Sequence, residues 1–173
     1  MNHALPIERP RQDYRPAMEI VADFVDRAPV ALERMAAALD LEVDMSANLP
    51  NDISGQIARL QGAAGNRYRI DINGKHSEKR RRFTLAHEIA HFVLHREFLD
   101  GELTDNQMYR SRLGDEKERE ANRFAAQILM PAKLVRVAWN AGAEDLSRLA
   151  RAFDVSEQAM EIRLAELGLR PAS

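Results

Sequence analysis

The spacing of apolar residues predicts that most of the chain is helical. From residue 77 onward, apolar positions recur every three or four residues, which is the period of an amphipathic helix, and glycine or proline separates the segments. The helices predicted there span residues 77–96, 115–130, 132–141, 144–153 and 156–167.

The N-terminal part of the sequence predicts two helices behind an extended arm. Residues 1–16 carry three prolines and show no apolar periodicity, so we expect them to be extended. Residues 18–27 and 30–39 have helical spacing and are separated at Pro29. We therefore assign residues 17–52 to N-terminal helices.

Between the two helical regions, short segments alternate apolar and polar residues. Residues 53–60 and 68–72 follow this period of two, which is typical of strands, and the turn-rich residues 61–66 connect them. We therefore predict an antiparallel β-hairpin within residues 53–76. The expected fold class is α+β, with residues 17–173 forming one mostly helical domain whose small antiparallel sheet packs on a helix.

Composition narrows the class of protein. With 173 residues, 45% of them hydrophobic and 30% charged, the chain is long enough to bury the core of a single domain. A formal net charge of −2 gives no general reason to expect a nucleic-acid partner. We find neither the apolar segment of a signal peptide nor that of a membrane span, so we expect a cytoplasmic protein with no membrane partner.

The sequence contains no cysteine, which excludes a disulfide framework and a thiolate metal site. Any metal ion must therefore be held by histidines and carboxylates.

A candidate metal site lies within residues 77–131, in the pattern His87-Glu88-x-x-His91. Histidines four apart project from one helix face on consecutive turns, so both can reach one Zn²⁺ while Glu88 lies beside it. Thr84 and His95 extend the same polar stripe along an otherwise apolar helix. The alternative is a core helix whose histidines only form hydrogen bonds with neighbouring groups.

A catalytic zinc ion needs a third protein ligand, for which two downstream carboxylates are candidates. Glu118 lies about 60° from the centre of the apolar face of its predicted helix, and Glu120 about 100° away on the other side. Glu118 is therefore the better candidate, although Asp115 and Glu118 also have the spacing of a capping box. Asn122, one turn after Glu118, is expected to hold a ligand in place.

These stretches together resemble the ImmA/IrrE metallopeptidases. The resemblance covers nearly the whole chain, from about Ala31 to Leu169, and depends on three motifs in the right order. They are residues 53–55 with the following strand, residues 82–91 and residues 118–131. One departure is Ala90, where many members have glycine; the position stays small, so we expect the helix packing to be kept.

The resemblance implies both a site and a role. It implies zinc on His87, His91 and Glu118, with Mn²⁺ as a possible active metal in vitro, Glu88 as general base, and a gluzincin-like arrangement. It also implies a bacterial or phage regulatory protease that cleaves a helix-turn-helix transcriptional repressor. Such cleavage would derepress stress, DNA-damage, phage or mobile-element genes.

Two residues are candidates for stabilising the oxyanion that forms during peptide hydrolysis. His95 lies one turn beyond His91 on the same face, and Tyr109 lies in the predicted loop between the two motif helices. For His95, the alternative is a histidine that supports the ligands from behind.

Either hairpin strand could be the sheet edge that holds an extended substrate.

A basic segment precedes the metal motif. Between residues 67 and 82 there are seven basic residues and two acidic ones. Such a segment could bind single-stranded DNA or another polyanion, form salt bridges with the acidic stretch of residues 97–120, or simply be solvated. The seven basic residues are Arg67, Arg69, Lys75, Lys79, Arg80, Arg81 and Arg82.

Two rival functions belong to other classes. Residues 146–160, within the C-terminal helices of residues 132–173, resemble a helix-turn-helix and suggest a DNA-binding module. Glu157 and Glu161 on its second helix would repel phosphate, so docking of that helix on the core is favoured. The other rival is a zinc-stabilised binding protein without catalytic activity. Glu88 argues against it, because a structural zinc site needs no base beside the metal.

Overall fold

The computed structural model describes residues 16–60, 67–99, 106–142 and 145–169, with the backbone alone over residues 106–113. The predicted turn at residues 61–66 lies outside these ranges, as does the extended arm except for Pro16.

Helices precede and follow the strands of a small sheet in the described part of the chain. The elements are α1 (Ala17–Ala22), α2 (Leu32–Ala38), β1 (Leu41–Ala47), β2 (Gly55–Arg59), β3 (Tyr68–Asn73), α3 (Glu78–Leu94), α4 (Arg96–Leu99), α5 (Asn106–Leu129), α6 (Ala132–Asn140), α7 (Leu146–Phe153) and α8 (Glu157–Glu166). The mostly helical α+β class is confirmed. None of the described helices combines the length and apolarity that crossing a membrane requires.

Two helix boundaries differ from the prediction. The helix with the metal motif ends at Leu94, and His95 separates it from the short α4. The next helix begins at Asn106 instead of residue 115, with a kink at Gly114, whose φ of 68° suits glycine. Tyr109 therefore lies in a helix and not in a loop, and its side chain is outside the described part.

The sheet is mixed, in the order β1-β3-β2. The predicted hairpin pairing is present, because β2 and β3 are antiparallel with Ile57 opposite Ile70. The prediction of a wholly antiparallel sheet is wrong, since β1 pairs with β3 in parallel and places Leu41 opposite Tyr68.

The prediction of helices throughout residues 17–52 is also wrong, because β1 lies there. Leu41, Val43 and Met45 alternate with polar residues, which is the signal that was missed. Among the strands that the structure describes, β3 is central and β1 and β2 are the outer ones.

The core lies between the sheet and α3. Ile70 and Ile72 of the central strand are fully buried, as are Leu85 and Ile89 of α3. Other buried residues of α3 include Glu88 and His91, so this helix is covered on most of its circumference. The polar stripe is therefore held in the interior, where its groups need defined partners.

The C-terminal helices pack on the same core. Leu149 and Phe153 of α7 are buried, and so is Arg163 of α8, whose Nε donates to the Met130 carbonyl at the end of α5. Asp154, in the left-handed conformation after α7, pairs with Lys79 and with Arg82. Helices α7 and α8 are thus joined to the start of α3 and to the end of α5.

Candidate metal centre

Helix α3 places two imidazoles together at one end of a cleft. Nε2 of His87 and Nε2 of His91 are 2.9 Å apart, because residues separated by four lie on the same helix face. The two rings meet edge to face with their centroids 4.5 Å apart. Leu85 and Ile89, on other faces of α3, are buried in the core and fix the orientation of the helix.

Helix α5 brings a carboxylate to the same point. Oε2 of Glu118 lies 3.3 Å from Nε2 of His87, and Oε1 lies 3.3 Å from Nε2 of His91. The capping-box alternative would direct this carboxylate to the backbone, but the structure directs it to the two histidines. Each of the three side chains offers one atom that can bind a metal ion, and these three atoms form a triangle.

The triangle fits a zinc ion. Ligands bound tetrahedrally at about 2.0–2.1 Å are separated by about 3.3 Å, which is close to the separations seen here. Two imidazole nitrogens and one carboxylate are also the donor set that zinc accepts in catalytic sites, with a fourth position left for water. In the part of the chain that the structure describes, this is the group found capable of holding a metal ion.

Asn122 supports one of the two imidazoles. Its Oδ1 lies 3.0 Å from Nδ1 of His87. A metal ion on Nε2 of His87 would require the proton of that ring to be on Nδ1, from which it can donate to this oxygen. Asn122 thus lies behind His87, one turn along α5 from Glu118.

Glu88 lies beside the triangle in a cleft of about 470 Å³. It is 5% exposed, and its negative charge acts on His87. The cleft is bounded by α3, by α5 and by the chain that leads into β2. Its lining residues are Asp52, Ser54, Gly55, Arg80, Phe83, Thr84, His87, Glu88, His91, Glu118 and Asn122.

The electrostatics favour a ligand that is ionised. Hydrogen bonds from His87 and then from His91 hold the pKa of the Glu118 carboxyl well below its usual range. For His87, burial opposes a positive charge, but the hydrogen bond to Glu118 and the charge of Glu88 outweigh it and raise the pKa. Glu118 is therefore a carboxylate at neutral pH, which is the form that binds metal ions.

The edge of the sheet approaches the cleft closely because of a glycine. A Cβ on Gly55 would lie 2.5 Å from Cγ2 of Thr84 and 3.0 Å from Cδ1 of Ile72. The absence of a side chain at Gly55 lets β2 begin directly against α3.

His95 lies behind His91 and is not among the residues that line the cleft. Its Nδ1 is 3.1 Å from Nδ1 of His91, and its Nε2 is 3.0 Å from Oε2 of Glu120. Of the two roles considered for His95, this position matches support of a ligand, and it does not suit contact with an oxyanion. The sequence analysis placed Glu120 on the opposite side of the apolar face from Glu118. It did not predict the contact between Glu120 and His95.

The basic segment before the metal motif is engaged within the protein. Each of its seven side chains has a hydrogen bond or ion pair in the structure, and the acidic partners lie in β1, in β3 and at Asp154. The predicted salt bridges with residues 97–120 are not among those seen for the described side chains. Arg67 pairs with Glu42, Arg69 with Asp44 and Asp71, and Lys79 with Asp154. Lys75 donates to the Leu49 carbonyl, Arg80 to the Ser54 hydroxyl and Arg81 to the Met45 carbonyl. Arg82 donates to the Val30 carbonyl and also pairs with Asp154.

Fold and site together define a class of protein. A helix that carries His87, Glu88 and His91 and a second helix that adds Glu118 are the framework of an HExxH metallopeptidase. A family model described as the IrrE N-terminal-like domain of peptidase family M78 matches residues 36–165. The chain belongs to this family, which confirms the resemblance to the ImmA/IrrE metallopeptidases.

Comparison with solved structures supports the fold. A Mycobacterium tuberculosis transcriptional regulator superposes with a TM-score of 0.56 at 16% sequence identity, over 86% of this chain and 46% of that one. The chain thus spans less than half the length of that regulator, and the likeness concerns the fold alone. No curated protein matches the sequence significantly.

Proposed function

We propose that this protein is a zinc-dependent endopeptidase that cleaves a helix-turn-helix transcriptional repressor and so derepresses stress, DNA-damage, phage or mobile-element genes. The observation that carries the proposal is the triangle of His87, His91 and Glu118, with Glu88 beside it in an open cleft. Membership of a peptidase family and the fold shared with a transcriptional regulator support it. The setting it implies is the cytoplasm, where repressors act.

The residues of the site would have different roles in peptide hydrolysis. Zinc held by the triangle would lower the pKa of a water molecule toward about 7 and polarise the scissile carbonyl. Glu88 accepts the proton of the attacking water and passes it to the leaving amine. Asn122 keeps the His87 ring oriented, so that Nε2 stays directed toward the cleft.

The sheet edge offers a way to hold the substrate. Strand β2 has β3 on one side, and its first residue, Gly55, lines the cleft. An extended segment of the repressor lying beside the start of β2 would bring a peptide bond near Glu88. The hairpin strand β3 is central and has no such edge.

The non-catalytic alternative does not account for the position of Glu88. A structural zinc site is closed by four protein ligands and needs no base, whereas this triangle opens into a cleft with a carboxylate beside it. The DNA-binding alternative would need the exposed face of α8 in a groove of DNA, but Glu157 and Glu161 lie on that face and would repel phosphate.

Cleavage in the presence and absence of metal tests the proposal. The metal-free protein is mixed with the helix-turn-helix protein encoded beside it, with and without added Zn²⁺ or Mn²⁺, and the products are separated by mass. We expect one discrete pair of fragments that appears only with metal. An intact repressor under all conditions, with the metal shown to be bound, would contradict the proposal. A gel shift with duplex DNA tests the DNA-binding alternative.

A further inference from the structure

Two hydrogen-bonding contacts continue from the metal centre into the protein behind His91. The ring of His91 uses Nε2 at the triangle, and its other nitrogen, Nδ1, lies 3.1 Å from Nδ1 of His95. The second nitrogen of His95, Nε2, lies 3.0 Å from Oε2 of Glu120. His91, His95 and Glu120 thus form one connected row, which we name the support chain.

Only one arrangement of protons satisfies this row when both rings are neutral. A metal ion on Nε2 of His91 requires the proton of that ring to be on Nδ1, so His91 donates to Nδ1 of His95. His95 must then accept at Nδ1 and carry its own proton on Nε2. That proton points at Glu120, whose carboxylate is an acceptor.

The surroundings make each contact of the support chain necessary. The side chains of His91 and His95 are 3% and 4% exposed, so water cannot take the place of a missing partner. Glu120 is the outer end of the row, with its side chain 49% exposed. Its charge can therefore remain solvated while it accepts a hydrogen bond from a buried ring.

The geometry of the two helices explains why the row exists. His95 directly follows the last residue of α3, and its backbone N–H donates to the His91 carbonyl, which fixes it one turn beyond His91. On α5, Glu118 and Glu120 flank opposite sides of the apolar face that packs against the core. One carboxylate therefore reaches the triangle and the other reaches the histidine behind it.

We propose that His95 and Glu120 are positioning residues that fix the tautomer and orientation of the ligand His91 and thereby raise the affinity for the metal ion. The proposal rests on the metal site of the proposed function. Groups behind a histidine ligand commonly contribute roughly 10–100-fold to metal affinity. Neither residue lines the cleft, so the first effect of removing them should be on metal binding.

A double-mutant cycle on zinc affinity tests the support chain. The dissociation constant is measured by chelator competition for the full-length wild type, for His95→Phe, for Glu120→Ala and for the double variant. We expect His95→Phe to weaken zinc binding by roughly 10–100-fold and Glu120→Ala by a smaller factor. In the His95→Phe background, Glu120→Ala should have no further effect, because it acts through His95.

Two further variants separate positioning from general structure. His95→Asn places an amide oxygen near the position of Nδ1, so it should bind zinc more tightly than His95→Phe. Glu116→Ala removes an exposed acid from the same helix and should leave the affinity unchanged. Equal effects of Glu120→Ala in both backgrounds, or affinities within about twofold of wild type for all variants, would overturn the proposal.

A spectroscopic readout does not depend on any variant folding. In the zinc-loaded wild type, the ¹⁵N shifts of the His95 ring should show the proton on Nε2 and an acceptor at Nδ1. A proton on Nδ1 of His95 would overturn the support chain. Failure of the wild type to bind zinc would overturn both this inference and the proposed function, whereas zinc binding unaffected by the variants would overturn the inference alone.

Discussion

Oδ1 of Asn122 lies 3.0 Å from Nδ1 of His87, while Glu118, one turn earlier on the same helix, faces Nε2 of that ring. Helix α5 thus supplies both a candidate ligand and the group that orients another. This arrangement makes the metal centre depend on the packing of α5 against α3 as much as on the HExxH motif.

Metal content is the first expectation. The purified protein should bind one zinc ion per chain, and His87→Ala or His91→Ala should lose it, because each removes a neutral imidazole ligand. Elemental analysis of dialysed protein gives the stoichiometry. His76→Ala, which changes a histidine outside the triangle, serves as the control and should retain the metal. Full metal content in both ligand variants would place the ion elsewhere.

The choice of carboxylate is the second expectation. Glu118→Gln should weaken zinc binding far more than Glu120→Gln, because Glu118 faces both Nε2 atoms. A glutamine at 120 still offers His95 an oxygen acceptor, so its effect should be small. Zinc titrations of the two variants provide the comparison, and the opposite order would make Glu120 the ligand.

Much of the site could be predicted because helical spacing is local. His87, Glu88 and His91 share a face whatever surrounds them, and Glu118 could be ranked above Glu120 from its angle to the apolar face. The contact between His95 and Glu120 could not be predicted, because it depends on how α5 lies across α3. The pairing of Lys79 with Asp154 could not be predicted either, since the two residues are distant in sequence.

The fold shows the same division between local and non-local information. The helices after residue 77 follow a strong period and were placed to within a few residues, apart from the start of α5. Strand β1 was missed because its alternation directly follows the helical pattern of α2. Its parallel pairing with β3 joins segments far apart in the chain, which no local pattern specifies.

The third expectation is that position 55 requires glycine. Gly55→Ala should destabilise the protein by about 1–3 kcal/mol, because the added Cβ would lie 2.5 Å from Cγ2 of Thr84. Chemical denaturation measures the change. Adding Thr84→Ser removes Cγ2 but keeps the hydroxyl that donates to the Arg80 carbonyl, so it should recover part of the loss. No recovery would show that the contact with Thr84 is not the cause.

Stimulation by a polyanion is the fourth expectation, and it concerns the basic residues Lys79, Arg80 and Arg81 at the start of α3. Single-stranded DNA should increase repressor cleavage at low salt and lose this effect as salt rises. Replacing Lys79, Arg80 and Arg81 by Ser should abolish the stimulation and leave zinc content intact. Because Lys79 pairs with Asp154, the anion has to compete with that carboxylate.

The control for this experiment is Arg34→Ser, which removes an exposed arginine from α2. It should respond to single-stranded DNA as the wild type does. Equal cleavage rates of the wild type with and without DNA at low salt would contradict the prediction. The basic segment would then serve only its contacts within the protein.

The most direct test of the account is the effect of Glu88→Gln on cleavage of the repressor by zinc-loaded protein. The substitution keeps the shape of the side chain and leaves His87, His91 and Glu118 in place, so zinc content should equal that of the wild type. Intact-mass analysis of the repressor over time should show two complementary fragments with the wild type and the uncleaved chain with the variant. Equal cleavage by both zinc-loaded proteins would contradict the assignment of Glu88 as the base, and with it the proposed peptidase mechanism.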